Sequence, residues 1–237
     1  MSKEYLDISE TTSLETAAKT LRDRVLIRIL SHLGCRVSEA LGLTVDDIDF
    51  VSGVVTIVHL KSHVKVNCRS CGSGLGLRHD FCPKCGTKNE LNAIQRSEKR
   101  RQRSLPLDKD TLDLIKTFLE SQGPTQKNGK LYLFGINRHR AWQIVRECAQ
   151  AAGLGELRNP ETGKSRGVSP HRLRDAFAVH CMKTDDSGEG MRLLQEHLGH
   201  SSFNTTAKYR KIAGEEHKAW YEKLWDKVPE PDNGSKK

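Results

Sequence analysis

Apolar residues at Leu14, Ala17, Ala18, Leu21, Val25, Ile29 and Leu33 recur at three- and four-residue steps, which predicts a helix over residues 13–33. Gly34 stands where a helix C-terminus favours glycine, and a second short helix is expected over residues 37–43. The period then changes. Residues 53–60, GVVTIVHL, are β-branched and bounded by a turn, so a strand is expected there. Residues 104–107, SLPL, offer a partner strand, with Pro106 pointing to a sheet edge. Helical patterns return over 108–122, 138–152, 170–183 and 190–198. A last one, 215–227, leads into a stripe of Trp220, Leu224, Trp225 and Val228. Residues 229–237 form a polar tail, expected to be disordered. The sum is a mainly α-helical α+β fold with a small antiparallel sheet.

Between the two strands, residues 67–90 show neither period, and a structureless loop of that length would be unusual. A bound metal removes the difficulty. Cys68 and Cys71, then Cys82 and Cys85, form two Cys-x-x-Cys pairs, each followed by glycine. Four thiolates match tetrahedral zinc, and a closed set of four leaves no open position, so a structural zinc ribbon is expected. A four-cysteine iron centre has similar spacing, but a redox centre has no evident task here. His63 or His79 could replace one cysteine, although nothing in the spacing requires it. Cys35, Cys148 and Cys181 sit in helical patterns and read as core residues.

Seven cysteines, four of them in such pairs, indicate a reduced compartment, so the chain is expected to be cytoplasmic. No stretch approaches the roughly 20 apolar residues of a membrane span, and the acidic, polar start is unlike a secretory signal. Lys and Arg number 39 against 30 Asp and Glu, a formal charge of +9 over 237 residues. That field favours polyanions, nucleic acid or an acidic membrane surface. Charge alone does not separate an enzyme from a basic structural protein.

Four segments narrow the choice: GCRVSEALGLTVDDID at 34–49, HRLRDAF at 171–177, LGHSS at 198–202 and TTAKY at 205–209. In order and content they resemble the catalytic domain of the tyrosine recombinases, the phage integrase family. An Arg-x-Ser-Glu box is weak evidence alone. A His-x-x-Arg box followed by Leu-Gly-His and a tyrosine nine residues later is far more specific. The resemblance runs from about Arg22 to Tyr209, broken by the cysteine-rich insertion. It implies a catalytic domain over 1–228, with the ribbon of 67–90 inserted in its β-hairpin.

The resemblance implies that Tyr209 attacks a DNA phosphodiester, leaving a 3′-phosphotyrosyl link and a free 5′-hydroxyl, with no nucleotide cofactor or catalytic metal. Attack builds negative charge at phosphorus, and fixed cationic donors are the strongest means of stabilising it. Arg36 and Arg174 suit the non-bridging oxygens because guanidinium binds phosphate bidentately and stays charged. Plain ion pairs with Glu39 and Asp175 are the competing reading of these arginines. Glu39 is expected to orient Arg36. His171, three residues before Arg174, shares its helix face and would accept or orient the tyrosine proton. His200 would bond the scissile phosphate, with His197 as its rival.

The leaving 5′-oxygen needs a proton, which the family takes from a hairpin lysine. Lys61 is nearest to that place, with Lys65 and Lys99 as substitutes because the insertion interrupts the hairpin. Arg96, Lys99, Arg100, Arg101 and Arg103 form a basic run expected, with the ribbon, to contact DNA phosphates. The resemblance also implies a helical clamp ahead of this domain; Arg36 comes too early to leave room for one, so a truncated chain, a catalytic half with its clamp encoded elsewhere or a minimal member is expected. Double-stranded DNA is the expected partner, bound as a tetramer, with a monomer in its absence. The helix after Tyr209 would pack in cis or on a neighbouring subunit. A DNA-relaxing enzyme of the type IB topoisomerase kind, and an inactive zinc-ribbon DNA-binding regulator, are the alternatives.

Overall fold

A computed structural model describes residues 4–58, 66–75, 79–88, 102–158, 162–200 and 202–209. Lys61, Lys65, His63, the run from Arg96 to Arg101, the helical pattern at 215–227 and the tail lie outside the described residues.

The chain opens with α1 (Ile8–Thr16) and α2 (Leu21–His32), where one helix over 13–33 was expected. The break has a local cause. Thr20 adopts an extended backbone and its hydroxyl accepts from the Asp23 amide at 3.1 Å, capping a new helix. Asp7 caps α1 through the amide of Glu10, whose carboxylate returns the bond. Gly34 ends α2 in the left-handed conformation, where a side chain would be strained and would run into Phe177. The short α3 (Val37–Ala40) follows at once.

Strands β1 (Ile48–Asp49), β2 (Val54–Val58) and β5 (Gln102–Pro106) make one antiparallel sheet in the order β1-β2-β5. Val55 lies opposite Leu105 and Ile57 opposite Arg103. Between β2 and β5 come β3 (Val66–Asn67) and β4 (Gly74–Leu75), a hairpin of their own. After the sheet, Asp108 caps α4 (Lys109–Ser121). The hairpin β6 (Thr125–Lys127) and β7 (Lys130–Tyr132) turns on Asn128-Gly129, both at positive φ. Helix α5 (Arg138–Ala151) leads to the small pair β8 (Leu157–Arg158) and β9 (Ser165–Arg166). Then come α6 (Pro170–Thr184), α7 (Gly188–Leu198) and α8 (Phe203–Ala207).

Helix α2 is the centre, packing against α4, α5 and α6, with Val25, Leu26, Ile27, Ile29 and Leu30 buried. Burial of each such aliphatic side chain contributes about 2 kcal/mol relative to exposure. A second apolar cluster joins α6 to α7 and holds Val179, Met182, Met191, Leu194, Leu198 and Tyr209. Cys35 and Cys148 are buried and Cys181 half-buried, as expected of core residues. Among the described residues no helix is long and apolar enough to cross a membrane.

Candidate active site and four-cysteine centre

The two ends of this frame bring the quoted segments together. Arg36 is the residue before α3, and Glu39, one turn on, folds its carboxylate back to accept from the Arg36 amide and from Arg36 Nη1, each at 3.0 Å. Glu39 is buried, and Oε2, which takes the Arg36 amide, also accepts from Arg103 Nη2 at 2.8 Å. Burial alone would raise the Glu39 pKa. The bonds from Arg103 and Arg36 outweigh it and hold the carboxyl at about 2.

Arg174 comes from the buried face of α6 and is only 3% exposed. Its Nη1 donates to the Gly34 carbonyl at 2.6 Å, and its Nη2 to the Leu198 carbonyl and to His200 Nε2, both at 2.9 Å. The guanidinium therefore ties the end of α2 to the end of α7, and Asp175 is not its partner in any of these bonds. Burial, then the nearby Arg36, pulls its pKa down to about 10, still charged at neutral pH.

His200 sits one residue past Gly199, which ends α7 at φ 66°. Since Arg174 donates to Nε2, Nδ1 carries the proton and donates to Thr206 Oγ1 at 2.9 Å. Burial, then Arg174 and Arg36, lowers the His200 pKa to about 4, so the imidazole is neutral. The rival His197 is otherwise employed: its Nε2 donates to the Leu33 carbonyl at 3.1 Å and its ring stacks on Phe177.

A depressed histidine pKa has a defined sign in stability. As pH falls, the unfolded chain, with an imidazole near 6.5, takes up the proton before the folded one does. Stability linked to His200 is thus fully present above about pH 6.5 and is lost as the pH drops toward about 4. His200→Gln should lose less stability than the unaltered chain across that window in urea denaturation. An identical loss in both would contradict the assignment.

Tyr209 and His171 meet on a different carboxylate. The Tyr209 hydroxyl donates to Asp175 Oδ1 at 2.7 Å, and Tyr209 itself is 3% exposed. Burial, then the adjacent Asp175, pushes the phenol well above its ordinary value. Asp175 Oδ2 lies 3.6 Å from Arg172 Nη1 and 3.9 Å from His171 Nε2, and His171 is largely exposed. The Lys208 ammonium stands 4.7 Å from the Tyr209 ring centre.

The structure therefore groups Arg36, Arg174 and His200 directly and sets Tyr209 and His171 beside them around Asp175. Two members, Thr206 and Asp175, are not expected as site residues from the sequence, and a third, Arg103, takes a different place. Thr206 lies inside the quoted TTAKY segment and pairs with His200 Nδ1 through its hydroxyl. Asp175 had been read only as an ion-pair partner for Arg174. Arg103, expected in the basic run as a phosphate contact, has a side chain 12% exposed and turned inward onto Glu39. The strand alternation carries the signal, since Arg103 shares a face with the buried Leu105 and opposes the buried Ile57.

The profile of the phage integrase family matches residues 3–69 and 83–216. The chain belongs to the phage integrase family. The two matched stretches flank a gap that holds Cys71 and Cys82. Among curated relatives, tyrosine recombinase XerD of Corynebacterium glutamicum is 27% identical over 202 residues, 82% of this chain and 50% of the relative. Tyrosine recombinase XerC of Pelobacter propionicus is 27% identical over 239 residues, 96% of this chain and 62% of the relative. The chain thus spans about half to three-fifths of the length of these two relatives. The fold resembles the crystal structure of XerA recombinase, with a TM-score of 0.63 and 18% identity, covering 95% of this chain and 66% of that one. XerH site-specific recombinase bound to a palindromic difH substrate gives a TM-score of 0.60 at 20% identity, covering 95% and 54%. At these identities the structures speak for the tyrosine recombinase fold.

The four expected cysteines also converge. Their sulfurs all lie within 4.8 Å of one another, with Cys68 and Cys85 at 3.5 Å and Cys71 and Cys82 at 3.6 Å. Tetrahedral zinc with bonds of about 2.3 Å requires sulfurs about 3.8 Å apart, so the set fits a metal of that kind. Each pair is built alike. The amide of Cys68 donates to Ser73 and that of Gly72 to Cys68; Cys82, Thr87 and Gly86 repeat both bonds. Gly72 and Gly86 are both at positive φ, which makes the turn after each second cysteine possible. Asn67 pairs with Gly74 as Phe81 pairs with Lys88, so the same loop occurs twice, fourteen residues apart.

Proposed function

We propose that this chain is the catalytic part of a site-specific DNA recombinase that cleaves and rejoins strands through a 3′-phosphotyrosyl intermediate on Tyr209. The observation that carries the reading is the grouping of Arg36, Arg174 and neutral His200 beside a tyrosine, in a chain of the phage integrase family. Arg36 and Arg103 bond one carboxylate, Glu39, and the Arg174 guanidinium adds a third positive charge nearby, so the group suits a phosphate. Arg36 and Arg174 hold the non-bridging oxygens of the scissile phosphate, and once Arg174 turns to the phosphate His200 takes the Nε2–H tautomer, donating to one of those oxygens while Nδ1 accepts from the Thr206 hydroxyl. His171 orients the tyrosine or takes its proton, and Lys61 protonates the leaving 5′-oxygen. No cofactor is needed for the chemistry, because the phosphotyrosyl bond conserves the energy of the one broken.

Zinc is the metal assigned to Cys68, Cys71, Cys82 and Cys85, in a structural ribbon over 67–90 inserted in a catalytic domain of 1–228. The ribbon and the run Arg96, Lys99, Arg100 and Arg101 bind DNA phosphates, and the protein works in the cytoplasm as a tetramer on DNA. Removing zinc with a chelator, or replacing Cys82 and Cys85 by serine, should weaken DNA binding by about tenfold or more and make it less salt-dependent. Equal affinity in a chain that still melts cooperatively would refute the ribbon's part.

The test of the activity is strand exchange. A duplex selected for binding from a random pool, supplied in two labelled lengths, should yield recombinant lengths. Relaxation of a supercoiled plasmid lacking that site, without exchange, would favour the topoisomerase alternative, and binding with neither would favour the inactive regulator.

A further inference from the structure

Arg103 stands apart from the segments that carry the family resemblance, yet it lies at the centre of the cationic group. Strand alternation directs it inward, opposite Ile57 and on the face of Leu105. It shares one carboxylate with Arg36: Arg103 Nη2 holds Glu39 Oε2 at 2.8 Å while Arg36 Nη1 holds Glu39 Oε1 at 3.0 Å. Its other terminal nitrogen lies against Gly199, where a Cβ would come within 2.9 Å of Nη1. Gly199 immediately precedes His200, so one guanidinium touches both the Arg36–Glu39 pair and the turn that presents His200. Its Nε is buried and has no acceptor among the described residues. A fold tolerates an unpaired buried donor where the group's placement serves another end.

We propose that Arg103 is a positioning residue of the cleavage reaction: by gripping Glu39 from the opposite side it fixes the Arg36 guanidinium at the scissile phosphate and adds a third positive charge behind it. The Arg36 amide and guanidinium bond both oxygens of Glu39 from within one helical turn, so that pair could still move as a unit; Arg103, on β5, ties it to the sheet. The planar fork matters as well as the charge, because a lysine would hold Glu39 at one point and leave the space beside Gly199 unfilled. The inference rests on the proposal that the chain cleaves DNA.

The experiment measures the rate of covalent adduct formation on a pool of nicked suicide duplexes of randomised sequence, together with duplex affinity. Arg103→Ala should slow the adduct step about a hundredfold, while the Kd for duplex changes less than about fivefold. Added guanidinium ion should restore about tenfold of that loss, which a collapsed or repacked fold would not allow. In a Glu39→Gln background, Arg103→Ala should cost little more, because the two act as a unit. Should the alanine variant fail to fold in a melting experiment, Arg103→Lys takes its place, with a loss of about tenfold expected. A wild-type rate in either folded variant, or a loss that is additive with Glu39→Gln and insensitive to guanidinium, would overturn the inference. Absence of adduct with the unaltered chain would instead overturn the proposed function.

Discussion

Replacing Arg174 with alanine should slow strand cleavage by about a thousandfold and lower stability by about 3 kcal/mol. The two losses have separate causes. Without the guanidinium, the Gly34 and Leu198 carbonyls lose their donors in a buried setting, and the ends of α2 and α7 lose their tie. The chemical loss comes from removing a desolvated positive charge beside the position where negative charge develops on the phosphate. Arg174→Lys should recover part of the stability and little of the rate, since an ammonium cannot serve two carbonyls and a phosphate together. Arg36, 30% exposed at its side chain and bonded to Glu39, should show a similar rate loss with a much smaller effect on folding. Cleavage rates and urea denaturation of the same variants check both halves. Equal destabilisation by Arg36→Ala and Arg174→Ala would contradict the division of labour.

Much of this arrangement was legible in the sequence because it depends on local spacing. His171 and Arg174 are one helical turn apart, Gly34 and Gly199 mark helix ends, and the twin Cys-x-x-Cys-Gly units define their own turns. The helices over 108–122, 138–152 and 170–183 likewise follow from short-range periodicity and appear within a residue or two of their expected bounds. What the sequence left hidden is set by tertiary contact. Nothing near Tyr209 in the chain announces that Asp175, 34 residues earlier, receives its hydroxyl. Thr206 gains its meaning only when His200 closes over it. The division of the first helix at Thr20, the Asn-Gly hairpin at 128–129 and the inward Arg103 are different, since capping chemistry, turn chemistry and strand alternation each carry a readable signal. Arg103 was masked by its basic neighbours, whose run suggests a solvated face.

The hydrogen bond from Tyr209 to Asp175 also separates fold from chemistry at the nucleophile itself. Tyr209→Phe keeps the ring in its apolar cluster of Val179, Met182, Leu194 and Leu198. It leaves Asp175 Oδ1 without its donor, at a cost of about 1 to 2 kcal/mol, so the variant should fold and melt slightly lower. Its chemistry should vanish, because phenylalanine has no oxygen to attack phosphorus. The most direct measurement is to trap the adduct on a nicked suicide duplex, digest it with protease and nuclease, and sequence the phosphorylated peptide by mass spectrometry. The phosphate should be found on Tyr209, with a free 5′-hydroxyl on the released strand, and Tyr209→Phe should give no adduct. A phosphate on any other residue, or an adduct that persists in Tyr209→Phe, would contradict the account.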